Sequence, residues 1–559
     1  MSSNIPGDGQ PEYLGPGRPT SDGEPSYGDP APADADGAPA RRGRRTGVVV
    51  GAAVAVIAAV GVGSYGLVQL MAGGSSPATA IPANALGYVS LDLDPSASQK
   101  IEAFKTMRKF PSLKKDLHIG GQDDLRRAIF DGFVEDGDCK GLSYSQDVEP
   151  WIGNRVAVAA IPDAKKIVLP LVALQVTDEA KAKKGIEALQ GCDDSGTGVG
   201  ISFSGDYALI TEKQADADAM AKDAEAASLA DDPDFKTWTG RTGDPGIVTM
   251  YASKDVPGAI VRGLRRSISS DVAGFDDSEG FVRSEKRYVE QMTDRVNKAF
   301  AGFEGAAGTV RFHDGAVEAD FATKGLQDGL AGGDGAGRAA AGLPSTTAMT
   351  MSVAVRPGWL QNFLDGAGGS VFGPMTDDDA MWKAAEQETG LNLPEDIETM
   401  FGDGFAVSVD SSADLAKLFS SDVPTASPVG IRIQGDPDTI VPIIEKLKKA
   451  GGPGADVVKI QRGDDEVAVS LDAGYAAKLL DDGGLGDVSA FKDVIPDAGR
   501  AGAVVYVNFD SGSWLEQLIG SSGGDAETKA NLAPLHAFGA SAWTDGDHVR
   551  HASLRLTTD

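Results

Sequence analysis

The sequence predicts an α+β protein: a disordered N-terminal tail, one transmembrane helix, then two tandem homologous α+β repeats with mixed or antiparallel sheets. Three observations lead there. An uncharged apolar run occupies residues 47–71 of the 559-residue chain. The sequence blocks that follow it recur in the same order in a second half. Within each half, strand-like runs alternate with stretches of helical apolar spacing and end on Asp-Gly turns, which excludes a purely parallel sheet.

Residues 1–46 carry many Pro, Gly, Asp and Ser and almost no aliphatic side chains before position 47. Such a segment cannot bury enough apolar surface to offset its chain entropy, so a disordered tail is expected. The run at 47–71 has 25 residues, about 37 Å of helix at ~1.5 Å per residue, enough to cross a hydrocarbon core of ~30 Å with some tilt. A transmembrane helix is expected over 47–72. It is too long, and too far from the start, for a cleaved signal peptide. Arg41, Arg42, Arg44 and Arg45 precede it. Basic residues on the N-terminal flank place that flank in the cytoplasm and the bulk of the chain outside. Residues 73–80 are expected as a linker.

The remainder reads as a duplication, with repeat 1 over 81–330, a flexible linker over 331–342 and repeat 2 over 343–559. PLVALQVTDEAKAKKGIEAL at 170–189 aligns without gaps to PVGIRIQGDPDTIVPIIEKL at 428–447, an offset of 258 that matches Asp178 to Asp436 and Ile186 to Ile444. Residues 82–95 share a layout with 344–357, each with Pro at both ends of a strand-like run. DVEPWIG at 147–153 matches DIETMFG at 396–402, Phe235-Lys236 matches Phe491-Lys492, and the hairpin signal Asp314-Gly315 matches Asp545-Gly546. The offset falls by about 25 residues between the last two matches, so repeat 1 carries a charged helical insertion near 262–300. Each repeat reads as strand, one or two helices, two strands, helix, hairpin, helices, strand, helix, hairpin. The two are expected to pack side by side about a pseudo-two-fold axis.

The formal charge of −31, from 82 Asp and Glu against 51 Lys and Arg, argues against nucleic acid, whose phosphates require clustered cations. The two cysteines, Cys139 and Cys192, both fall on the outer side of the span. An even pair in an oxidising compartment is expected as a disulfide, with two buried thiols as the alternative.

No catalytic, metal or cofactor residue emerges from the sequence. Asp194-Ser195-Gly196-Thr197 and Asp510-Ser511-Gly512-Ser513 match the aspartic-protease signature. They occupy non-equivalent places in the duplication and read as turns. His548 and His551, three apart on an expected strand, face opposite sides of a sheet and cannot share a metal. Asp92 and Asp94 suggest a calcium loop, but that loop lacks its glycine and its twelfth-position acid. The chain has no H-E-x-x-H motif, no paired-Cys motif, and no G-x-S-x-G or Walker loop in a strand–helix context.

PANALGYVSLDLDP at 82–95, IEAFKTMRKFP at 101–111 and Trp151-Ile152-Gly153 resemble a family of membrane-anchored actinobacterial proteins catalogued only as a domain of unknown function. The resemblance extends over most of 80–559 and implies topology and envelope location, with no catalytic residues to carry over. The functional expectation is a single-pass plasma-membrane protein with a cytoplasmic N-terminus, whose extracytoplasmic region binds an envelope partner or a ligand without catalysis. A carrier holding an apolar ligand between the repeats is one alternative, recognisable by an unfilled sheet face lined with apolar side chains. An envelope hydrolase is the other, recognisable by clustered, perturbed carboxylates or a His in one cleft.

Overall fold

The computed structural model describes residues 75–93, 97–112, 143–190, 198–272, 279–326, 331–360, 379–414, 427–481, 483–521 and 523–559, together with Arg127 and Lys417. The tail, the apolar run at 47–71, Cys139 and Cys192 all lie outside the described residues. Among the described residues no helix is long and apolar enough to cross a membrane.

The first half contains β1 (Gly87–Asp92), α1 (Ala97–Met107), β2 (Ile152–Pro162), β3 (Val168–Val176), α2 (Glu179–Gln190), β4 (Gly200–Ser204), β5 (Tyr207–Thr211), α3 (Gln214–Ala226), α4 (Pro233–Gly240), β6 (Val248–Ser253), α5 (Val256–Val272), α6 (Glu279–Ala299), β7 (Gly305–His313) and β8 (Ala316–Lys324). The second half contains α7 (Ala336–Ala341), β9 (Thr347–Ala354), α8 (Asp379–Thr389), α9 (Glu395–Phe401), β10 (Gly404–Asp410), β11 (Val429–Gln434), α10 (Pro437–Ala450), β12 (Lys459–Arg462), β13 (Glu466–Ser470), α11 (Ala473–Leu480), α12 (Ser489–Val494), β14 (Ala503–Asn508), α13 (Trp514–Ser521), α14 (Ala526–Leu532), β15 (Leu535–Thr544) and β16 (Arg550–Thr558).

All sixteen strands belong to one sheet, in the order β12-β13-β11-β10-β9-β14-β15-β16-β8-β7-β6-β1-β2-β3-β5-β4. Every pairing among them is antiparallel. The class is therefore α+β, and the expected choice between mixed and antiparallel sheets resolves to one continuous antiparallel sheet. Read from its outer edge, the first half runs β4-β5-β3-β2-β1-β6-β7-β8. Adding eight to each number gives the order of the second half. The halves meet at a seam where β8 pairs with β16 and Asp320 stands opposite Ser553.

Local details correspond as well. Asp178 caps α2 by accepting from the Lys181 amide at 3.0 Å, and Asp436 caps α10 by accepting from Asp438 at 2.8 Å. Each cap satisfies one of the donors a helix start leaves open. Pro82 bridges to Ser228, and Pro344 to Gly484. Phe235 meets the Tyr251 ring edge-on at 5.2 Å, and Phe491 meets Tyr506 in the same way at 5.2 Å.

One sheet face is sealed. In the first half Tyr88, Leu171, Leu209 and Tyr251 pack under Met220 of α3 and Trp238 of α4. In the second half Ala406, Val504 and Tyr506 pack under α7, α11 and α12. Gly539 permits the close approach of α12, since a Cβ there would lie 2.4 Å from the Val494 carbonyl oxygen.

Several expectations are corrected. The linker expected at 331–342 contains α7, whose Ala336, Ala339 and Ala340 are buried and whose Ala336 carbonyl accepts from Ser352 at 2.9 Å. Its small side chains let a short helix lie close on the strands. The linker expected at 73–80 ends in a 3₁₀ turn, Pro77–Ala80, with Ala78 and Ala80 in the core, and the Ser75 carbonyl accepts from Tyr207 at 2.5 Å. The helical insertion expected near 262–300 is present as lengthened helices. Both halves have a helix pair at this point. In the first half its members have 17 and 21 residues; in the second they have 8 and 7. The hairpin turns also differ. Asp314 and Gly315 both take positive φ, 48° and 75°, the conformation a two-residue hairpin turn requires. At Asp545-Gly546 the loop is longer, and its left-handed residue is His548, φ 61°. His548 therefore lies in a turn and not on the expected strand.

Candidate functional site

The other face of the sheet is apolar across its whole width. Register places Leu91, Met250, Val310, Phe312, Phe321, Leu554, Leu556, Phe538, Val505 and Met351 on this face of the central strands, because side chains alternate along each strand. Helices cover the two ends of the face. At the first-half end, Ile186 of α2 packs with Trp151 over Leu174 and Ile210, and Val256 of α5 over Val89 and Ala252. At the second-half end, Ile440 and Ile444 of α10 pack over Phe405 and Ile433, and Trp514 of α13 over Met349 and Val507.

Between these walls the central residues belong to no buried cluster. Most are half-buried. Met351 and Val505, opposite one another on β9 and β14, are 43% and 38% exposed. The result is an apolar floor, centred on the seam and flanked by helices. A contiguous exposed apolar surface of this kind marks a binding surface more often than an accident of packing. α1 is held to the first half, and the residues that follow it reach the second half. Gln99 donates to the Pro245 carbonyl at 2.8 Å, Lys109 to the Thr558 carbonyl at 2.9 Å, and the Ser112 amide to Asn531 at 2.9 Å.

Beneath the floor, on the sealed side, the seam holds a buried polar network. Arg311 on β7 donates through Nε to Glu318 at 2.7 Å, through Nη1 to the carbonyls of Thr242 and Asp244 at 2.9 and 2.7 Å, and through Nη2 to Asp320. Arg555 on β16 reaches across the seam to Glu318 at 3.1 Å. Burial pushes Glu318 up, but Arg311, a hydrogen bond with Asp320 and Arg555 together outweigh it and hold its carboxyl below the usual range. Burial pushes Asp320 up to about 7, opposed by Arg311 and reinforced by Glu318. Two carboxylates sharing one guanidinium do not hold both charges equally well.

Next along β16, His551 is fully buried, bonds Asp545 through Nε2 at 2.9 Å and stacks on Trp543 at 5.4 Å. Arg500 lies 3.8 Å over the other ring system, that of Trp543. Arg241 of the first half approaches Asp545 at 3.9 Å, a second ionic contact across the seam. Burial holds His551 below its ordinary range, against the pull of Asp545.

This network joins the halves and is enclosed on the sealed side. It places neither Glu318 nor Asp320 on the apolar floor, since both share the face of Arg311 and His551. A shallow depression of about 900 Å³, lined by Asp403, Asp436, Asp464, Asp465 and Glu466, lies far along the second half and is acidic rather than apolar.

The sequence-stated residues scatter. Cys139, Cys192 and the motif at 194–197 lie outside the described residues. Asp92 pairs with Arg155 at 2.9 Å as a strand-end ion pair. Asp510, read as a turn residue, stands beside His536 and Asp559 at the foot of β14, β15 and β16. What the sequence reading missed is the seam network. Its signal was visible as charged residues at alternating positions in otherwise apolar strands, Arg311, Glu318 and Asp320, where burial demands a partner.

A family model described as a protein of unknown function (DUF3352) matches residues 47–221. The match takes in the apolar run and the first half as far as α3, a smaller extent than the resemblance over 80–559. No curated protein and no solved structure matches the chain.

Proposed function

We propose that this protein is a single-pass envelope protein, anchored in the plasma membrane by residues 47–72 with its tail in the cytoplasm, whose extracytoplasmic part binds an apolar ligand without catalysis. We further infer that the halves are tandem copies of one unit, and that the binding floor arises where the copies meet. The identical strand order and the matched caps and ring pairs support the second inference.

The observation that carries the ligand reading is the apolar floor, left half-exposed between helices that bury both ends of the same face. Leaving it bare against water is unfavourable by roughly 25 cal/mol for each Å² of apolar area, so an apolar occupant gains that term on binding. A hydrolytic reading would draw on Glu318 and Asp320. Their arginine partners and enclosed position fit a role in holding the seam better.

Photo-crosslinking in the native membrane tests the ligand reading. With Met351 replaced by a benzophenone-bearing phenylalanine, irradiation is expected to yield an adduct of lipid-like mass. Adducts that are exclusively polypeptide would overturn the apolar-ligand reading in favour of a protein partner.

A further inference from the structure

We propose that Asp510, His536 and Asp559 form a binding site for a divalent transition metal, with zinc as the reference ion. Each residue offers one ligand atom, and the three atoms lie within 4.8 Å of one another. His536 Nδ1 contacts the Asp510 carboxylate directly and lies 3.4 Å from Asp559 Oδ1. Ligands held at about 2.1 Å around a tetrahedral ion are separated by ~3.4 Å, the spacing of His536 and Asp559; with the His536–Asp510 hydrogen bond opened to that spacing, one imidazole and two carboxylates close on a single ion and leave one position for water.

The backbone presents this set from three adjacent strand ends. The Phe509 amide donates to the His536 carbonyl at 2.9 Å, which fixes Asp510 beside the histidine. The Asp559 amide donates to the Pro534 carbonyl at 3.1 Å, which brings the third ligand to the same corner. The Asp510 amide donates to Asn508 Oδ1 at 3.0 Å, and Gly512 turns the chain at φ 75°.

A second observation is the charge balance. At the corresponding corner of the first half, Glu304 has its own cation, Lys324, at 3.1 Å. In the second half His536 occupies the place of Glu304. Among the described residues no Lys or Arg pairs with Asp510 or Asp559. Lys109, whose ammonium reaches this strand end, donates to the carbonyl and hydroxyl oxygens of the neighbouring Thr558. Two carboxylates therefore converge on one imidazole, and a bound dication supplies the charge that Lys324 supplies in the other half. The mixed nitrogen and oxygen set suits zinc and its first-row neighbours better than magnesium or calcium.

The test is calorimetric titration of the detergent-extracted full chain with zinc chloride alone, repeated with cobalt(II) and read by visible absorption. One equivalent is expected to bind, and D510N and H536Q are each expected to weaken it at least tenfold and to abolish the tetrahedral cobalt bands. D559N, at an exposed position, is expected to weaken zinc in the same way without altering the fold. Absence of stoichiometric zinc binding by the native chain, or one equivalent that all three variants retain unchanged, would overturn the proposal. Neither result bears on occupation of the apolar floor.

Discussion

The two hairpins that meet at the seam share a backbone plan and differ in chemistry. Val248 opens β6 and pairs with Val310, while Ala503 opens β14 and pairs with Ala542. The next residue on each partner strand is Arg311 in one half and Trp543 in the other. Directly across from them stand Glu318 and His551. One hairpin thus buries an ion pair where the other buries an aromatic stack. The sheet accepts both because the positions are fixed by strand alternation and by the helices packed on the sealed face. Only the partner, and not the backbone, has to change. The ionic version brings a dependence the stacked one lacks, since its carboxylates stay buried only while their guanidinium is present.

The largest expected effect follows from that dependence. Arg311→Met leaves Glu318 and Asp320 buried with Arg555 as the nearest cation, and is expected to lower stability by ~3–5 kcal/mol, read as a shift in the denaturation midpoint. A loss below about 1 kcal/mol would mean that the ion pair is as replaceable as the stack. A smaller effect tests the equivalence of the halves. Phe235→Leu and Phe491→Leu each remove an edge-on contact of 5.2 Å with a buried tyrosine, and Phe235→Leu removes a second, with Tyr88 at 5.6 Å. Each is expected to cost ~1–2 kcal/mol. Strongly unequal losses would break the comparison.

The seam should also respond to pH in two opposite ways. Asp320 is raised from the carboxylate range to about 7, so the folded state holds its proton longer than the unfolded chain. That contribution is full at low pH and is lost as pH rises through about 7. His551 is held below its ordinary range, so its contribution is full above about pH 6.5 and is lost as pH falls below that value. Stability against pH should therefore lose its alkaline slope in Asp320→Asn and its acidic slope in His551→Gln. Identical profiles for both variants and the native chain would contradict the assignment. The smallest effect belongs to the surface. Lys324→Ala removes a partly exposed pair with Glu304 and is expected to change stability by less than ~1 kcal/mol.

Much of this plan was legible in the sequence. Asp178 and Asp436 aligned because both cap helices, Phe235 and Phe491 because both meet a buried tyrosine, and the element order followed from apolar period and turn residues. The joining of sixteen strands into one sheet was not legible, because register across a seam between distant segments leaves no local pattern. The stretch at 331–342 misled because Gly and Ala composition signals flexibility, whereas small side chains also permit a helix to lie flat on a sheet. The Asp510 and His536 corner was hidden by the distance along the chain between its members. The apolar floor was hidden by the fact that strand alternation identifies an apolar face without revealing what covers it.

The most direct test of the central claim is native mass spectrometry of the full chain, released from its own membrane in mild detergent, alongside a variant carrying Met351→Glu and Val505→Glu. Both positions are already exposed, so the variant should fold. The account predicts a discrete apolar adduct on the native chain, lost on denaturation and absent from the variant. A bare native chain, or an adduct that the variant keeps, would contradict it.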